Sequence, residues 1–145
     1  MTSLIESLTQ QLKRDEGVRS TAYKDSLGYL TIGVGRLIDE RRIGAGLRKD
    51  EIDYLLANDI NDRIEQLKKR IPWFTGLTGA RQGALLNMAF QLGVDGVLSF
   101  KNTLALIEQG NYEGAAQQML LSKWAQQTPQ RAKRVAEQIR SGEWV

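Results

Sequence analysis

Glu16 stands where a run of helical periodicity meets Gly17, and Asp25 follows nine residues later, in a turn that precedes Thr31. Two carboxylates and a hydroxyl carried by rigid elements beside a glycine-rich segment suit acid–base catalysis at a glycosidic bond. A pair of acids at this separation is more often solvated surface, and on spacing alone that reading carries more weight. Gly33-Val34-Gly35 is too short for a phosphate-binding loop, which needs further glycines or a Gly-Lys-Ser/Thr ending. Tyr23 and Tyr29 are by default packing residues of a hairpin.

The residue types that are missing narrow the chemistry further. The 145 residues include no cysteine and no histidine, which excludes a disulfide framework, a thiolate nucleophile, thiolate or imidazole zinc sites and any triad with a histidine base. Carboxylates, hydroxyls, Lys, Tyr and Arg are left, with no metal and no cofactor expected. Lys plus Arg number 20 against 17 Asp plus Glu, a net charge of +3 that favours a polyanion without marking a dedicated nucleic-acid binder. No apolar stretch approaches the ~20 residues of a membrane span. The first residues lack the basic and apolar regions of a signal peptide, so synthesis as a soluble cytoplasmic protein is expected.

The elements that must hold these residues can be read from periodicity. Ser3 and Glu6 have the spacing of a capping box, and Leu4, Ile5, Leu8 and Leu12 recur at helical intervals, predicting a helix from about residue 3 to Arg14 or Asp15. Leu30, Ile32 and Val34 would share one face of a strand, and Thr31, Gly33 and Gly35 the other, where small residues leave room for an approaching group. Residues 38–47 read as a loop or a short extra strand. Ile52, Leu56, Ile60, Ile64 and Leu67 form a long amphipathic stripe that should end at Ile71-Pro72 and bridge two lobes. Thr78 reads as the N-cap of a buried central helix, Ala84–Leu92, closed by Gly93. Short helices follow, separated at Gly96, Gly110 and Thr128-Pro129, an N-cap plus first-turn proline. The last helix gathers Ala132, Val135, Ala136 and Ile139 on one side. The architecture is α+β, with a small β-containing lobe near the front of a helical protein.

Asp15-Glu16-Gly17, Tyr23-Lys24-Asp25, Gly28-Tyr29 and Thr31-Ile32-Gly33-Val34-Gly35 resemble, in order and spacing, the catalytic segment of phage lysozymes of the T-even type. Leu86-Asn87-Met88, Phe90-Gln91-Leu92-Gly93, Trp124, Gln127-Thr128-Pro129, Arg131-Ala132-Lys133-Arg134 and Gly142-Glu143-Trp144 resemble that family's C-terminal lobe. The likeness covers nearly the whole chain. It implies a single lysozyme-like domain over 1–145. A small N-terminal lobe of about 15–58 and a helical lobe of about 1–14 and 70–145 would be joined by a long helix, with the cleft between them.

The resemblance further implies hydrolysis of the β-1,4 bond between N-acetylmuramic acid and N-acetylglucosamine in peptidoglycan. Glu16 would be the general acid, with Asp25 and Thr31 positioning the attacking water. The family inverts at the anomeric carbon, which goes with roughly 6.5–9.5 Å between the carboxylates. Leu37, Phe90, Gln91, Thr103 and Gln118 would line the saccharide cleft, with ordinary packing or surface polarity as the competing reading of each. Arg131 would support Glu16. The implied setting is an endolysin kept in the host cytoplasm until a holin-type pore admits it to the periplasm. It would act as a monomer, without nucleic acid and without stable membrane insertion.

Two departures from the T-even pattern stand out. Arg36 occupies the position of a histidine that pairs with an acid of the other lobe; it would pair similarly, but unlike histidine it does not titrate near neutrality. The segment from Leu37 to Leu47 is also much shorter. The competing functions are a lytic transglycosylase, which needs one acid and no held water, and a non-catalytic wall-binding module using Trp73, Trp124 and Trp144 as platforms. Asp25 and Thr31 argue against the transglycosylase, and tryptophans of a helical lobe are more often core.

Overall fold

The computed structural model describes residues 3–38 and 45–145. The protein forms two compact units, Met1–Leu55 and Leu56–Val145.

The first unit begins with α1 (Leu4–Glu16). Its start is fixed by reciprocal bonds: Glu6 N–H donates to Ser3 Oγ at 3.1 Å, and Ser3 N–H donates to the Glu6 carboxylate at 2.9 Å. Both otherwise orphaned amides at the helix start are thereby satisfied. At the other end Gly17 adopts φ +79, which turns the chain out of the helix directly after Glu16. Three antiparallel strands follow in spatial order β1 (Arg19–Lys24), β2 (Leu30–Gly33) and β3 (Arg36–Leu37). Thr31 on the central strand faces Tyr23 on one side and Leu37 on the other. Of the segment 38–47, residues 39–44 lie outside the described residues. On either side of them Ile38 N–H donates to Leu30 O and Gly46 N–H to Leu37 O, both at 2.9 Å.

Helix α2 (Lys49–Arg70) carries acids in its first turn and bases in its last, as the helix dipole favours, and ends before Pro72 as its sequence requires. The second unit begins within it. A single 3-10 turn (Phe74–Gly76) leads to α3 (Gly79–Leu98), then α4 (Lys101–Glu108), α5 (Tyr112–Leu120), α6 (Lys123–Gln127) and α7 (Pro129–Ser141). Their apolar faces close over one core, in which Leu67, Phe74, Leu85, Met88, Ile107, Met119 and Ile139 are essentially inaccessible. Ala132, Val135, Ala136 and Ile139 of α7 are all buried, as their spacing predicts. Among the described residues no single helix is long and apolar enough to cross a membrane.

Two local expectations change. The central helix does not stop at Gly93: that residue leaves helical geometry at φ 76, ψ 167, and the helix resumes and runs on to Leu98. Thr78 caps α3 through Arg81 N–H as expected. Thr128, in contrast, sits at the N-cap position of α7 but donates its hydroxyl at 3.0 Å to Trp124 O, closing α6 instead. On β2 Thr31 is 2% exposed and Leu30 48%, while beside Gly33 the space that a side chain would fill is open.

Candidate active site

Glu16 is the last residue of α1, and its position follows from the Gly17 break. Its carboxyl group rests on the backbone of Gly35, in the turn between β2 and β3. A Cβ placed on Gly35 would lie 3.1 Å from both Cδ and Oε2 of Glu16. The room left at Gly35 is therefore used by the glutamate, and that at Gly33 is open. Gly35 is demanded twice, by this approach and by its φ of +67. Glu16 is exposed and has no hydrogen-bond or ionic partner among the described residues.

Asp25 closes the β1–β2 turn on itself. Its Oδ1 accepts the N–H groups of Leu27 and Tyr29, each at 2.9 Å, and its own N–H donates to Tyr29 O at 2.8 Å. Aspartate suits this turn because its short side chain can stand in for a backbone carbonyl. One oxygen is thus committed to orienting the group, and Oδ2 has no hydrogen-bond partner among the described residues. Thr31 Oγ1 donates to Tyr29 O at 3.0 Å. The hydroxyl hydrogen is used up there, so towards any further group Thr31 acts through its lone pairs. Tyr29 consequently bonds Asp25 through its N–H and Thr31 through its carbonyl, fixing the two side chains relative to one another. Sequence reading treated Tyr29 as hairpin packing; a backbone role leaves no mark on residue type.

Leu37 sits directly across from Thr31 on β3, half-buried. Next to it Arg36 makes a two-pronged ion pair with Glu51 in the first turn of α2, at 2.9 and 2.8 Å, and also donates to Gly46 O at 2.9 Å. The expectation that Arg36 would pair with an acid of the other lobe is corrected: Glu51 belongs to the same unit. Glu51 also accepts Arg48 N–H at 2.8 Å, so it caps α2 while holding β3. The Arg36 hydrogen bonds foremost, then the Arg48 amide, hold its carboxyl down at about 2. An acid three residues into a helix was the available signal for this role.

In the second unit Phe90 is exposed at 40% on α3. Its neighbour Gln91 accepts the indole N–H of buried Trp124 at 2.9 Å, and Trp124 meets Phe100 edge-on at 5.9 Å between ring centres. Thr103 is buried in α4 at 4% exposure, and Gln118 is exposed on α5. Arg131 donates from Nε to Asn87 Oδ1 at 2.8 Å and from a terminal nitrogen to Asn87 O at 3.2 Å, tying α7 to α3. Phe90 and Arg131 also line a cavity of about 410 Å³ with Leu56, Ile60, Leu86 and Trp144. Of the three tryptophans, Trp124 is core, Trp73 packs against the core, and Trp144 is 71% exposed.

A family model described as phage lysozyme matches residues 13–140. A protein named "Probable T4-type lysozyme 1" from Dictyostelium discoideum is 34% identical, the match covering 96% of each chain. The pre-baseplate central spike protein Gp5 of Enterobacteria phage T4 is 35% identical over 94% of this chain and 28% of its own length. An endolysin of Salmonella phage P22 is 32% identical over 82% of each. Since the match runs from the end of α1 almost through α7, and so takes in both units, the chain belongs to the phage lysozyme family and is a glycoside hydrolase.

Proposed function

We propose that this peptidoglycan-hydrolysing lysozyme cleaves the β-1,4 bond between N-acetylmuramic acid and N-acetylglucosamine with inversion. Glu16 protonates the leaving oxygen, while Asp25 and Thr31 hold and activate the water. The observation that carries this reading is the asymmetry between the two carboxylates. Asp25 is locked by its own turn with one oxygen left over, as a group that orients water should be. Glu16 makes no such bonds and lies against a bare glycine, as a group that must give up and regain a proton should. Thr31 adds an acceptor fixed through Tyr29.

On this reading Leu37, Phe90, Gln91, Thr103 and Gln118 belong to the saccharide surface, and Arg131 supports the catalytic glutamate. The protein is then an endolysin, released as a monomer from the host cytoplasm through a holin-type pore to lyse the cell from the periplasm. Digestion of purified peptidoglycan tests the chemistry. Reducing ends that appear first as the α-anomer are expected. Anhydro ends would indicate a transglycosylase, β-anomers a retaining hydrolase, and no soluble product a wall-binding module.

A further inference from the structure

Arg63 lies on α2 within the second unit, its guanidinium carbon 5.9 Å from the centre of the Phe90 ring. Its Nε is buried and has no hydrogen-bond partner. Among the described residues Arg63 has no acceptor on any of its nitrogens, a state it shares with Arg19 and Arg134, but of these three it alone has a buried unmet nitrogen. A buried charged donor left unmet costs stability. The aromatic ring offsets part of that cost and sets the direction of the planar fork without supplying an anion. Arg63 is thus held in position at some expense to the fold, as residues that meet a ligand often are.

We propose that Arg63 is a specificity-determining residue that takes a carboxylate of the peptide stem borne by the muramic acid unit. The inference rests on the muramidase reading, which assigns Phe90 to the saccharide surface. The alternating glycan is neutral along its hydroxyls and acetamides, and its lactyl carboxyl is consumed in the amide to the peptide. The carboxylates nearest a bound glycan are therefore those of the stem. The buried Nε lies out of a ligand's reach, so the fork is presented by the two terminal nitrogens, which match a carboxylate through two parallel bonds as an ammonium does not.

The test compares kcat/KM on peptide-bearing peptidoglycan with kcat/KM on glycan strands freed of peptide by an amidase, the lactyl carboxylates that this hydrolysis exposes being capped as neutral amides. Wild type prefers the peptide-bearing substrate by about tenfold, the size of one charge-assisted hydrogen bond. In Arg63→Gln that ratio collapses towards one, chiefly through KM, and Arg63→Lys keeps part of it. A separate arm does not depend on a variant folding: converting the stem carboxylates to neutral amides removes the wild-type preference. An unchanged ratio in Arg63→Gln, equal losses on both substrates, or a preference that survives amidation overturns the assignment. A wild-type protein that cleaves neither substrate overturns the muramidase reading, and this inference with it.

Discussion

Among the described side chains of the first unit Thr31 alone is buried, whereas the second unit closes over Phe74, Leu85, Met88, Ile107 and Met119, each at 1% exposure or less. Directional bonds give the first unit its order: the Ser3–Glu6 capping box, the turn wound around Asp25, the Tyr29 backbone, and the Arg36–Glu51 pair. Each such bond contributes only about 0.5–1.5 kcal/mol net, yet it fixes an angle and a distance. Burying a large apolar side chain contributes about 1.5–3 kcal/mol and fixes little beyond volume. The proposed acid and water-holding groups thus sit in the unit built for geometry. Substitutions there should change rate more than stability, and substitutions in the helical unit should do the reverse.

Glu16→Gln gives the largest expected departure in rate. Glutamine keeps the size but cannot supply the proton, so turnover on purified peptidoglycan falls by ~10²–10⁴. Because Glu16 is exposed and unpaired among the described residues, its melting temperature stays close to wild type. A folded Glu16→Gln protein cutting at wild-type rate would remove this residue from the mechanism. Asp25→Asn should also be slow, and less stable, because the amide weakens both turn bonds to Oδ1. The opposite pattern belongs to Phe74→Ala, which should cost about 3–5 kcal/mol in denaturant unfolding. Ile5→Ala, at a side chain 77% exposed on α1, should change stability by less than about 0.5 kcal/mol. Equal losses for Phe74→Ala and Ile5→Ala would erase the distinction between the units.

Gly35 and Gly110 sharpen the comparison, since both have positive φ, +67 and +79, and only Gly35 has Glu16 within reach of a new Cβ. Alanine at either position pays about 1–2 kcal/mol of backbone strain. Gly35→Ala must in addition displace the Glu16 carboxyl, so its turnover should drop while Gly110→Ala retains activity at the same loss of stability. Similar turnover in the two variants would mean that the seat of Glu16 on Gly35 does not matter to the reaction.

How much of this was legible in the sequence differs between the two units for the same reason. Apolar period and caps announced α1, α3 and α7, because burial and capping leave residue-type signatures, as Ser3, Glu6, Thr78 and Val135 do. Gly93 was read as a stop because glycine permits both an ending and a brief excursion, and sequence does not distinguish them. In the catalytic segment the order of Glu16, Asp25 and Thr31 was visible, but their mutual support was not. That support runs through the Tyr29 backbone and the bare Cα of Gly35, which no side chain reports. Glu51 was missed because the partner of Arg36 was sought in the other lobe. The unmet nitrogen of Arg63 left no signal either, because one base among the five of α2 reads as solvated surface.

The smallest effect expected is a dependence on pH, and it probes the Arg36–Glu51 clasp. Glu51 is held at about 2, chiefly by hydrogen bonds from Arg36, below the ordinary carboxylate value of ~4.3. A folded-state value below the unfolded one means that the contribution to stability is complete above ~4.3 and is lost as pH falls towards about 2. Glu51→Gln should therefore melt a few degrees or less below wild type at neutral pH, given the partial exposure of the pair, and converge with it in acid. Arg36→His reverses the sign. Glu51 would raise the imidazole above its ordinary ~6.5, so the pair is intact below that value and is lost as pH rises through the raised one. Turnover under mildly acidic conditions should survive, because Arg36 grips α2 through Glu51 and bonds neither Asp25 nor Thr31. Melting temperatures from about pH 5 to pH 8 should then be flat for wild type, whose arginine does not titrate, and falling for Arg36→His. A flat profile for Arg36→His would show that the clasp adds nothing to stability, and a folded variant with turnover reduced by orders of magnitude would move Arg36 into the active site.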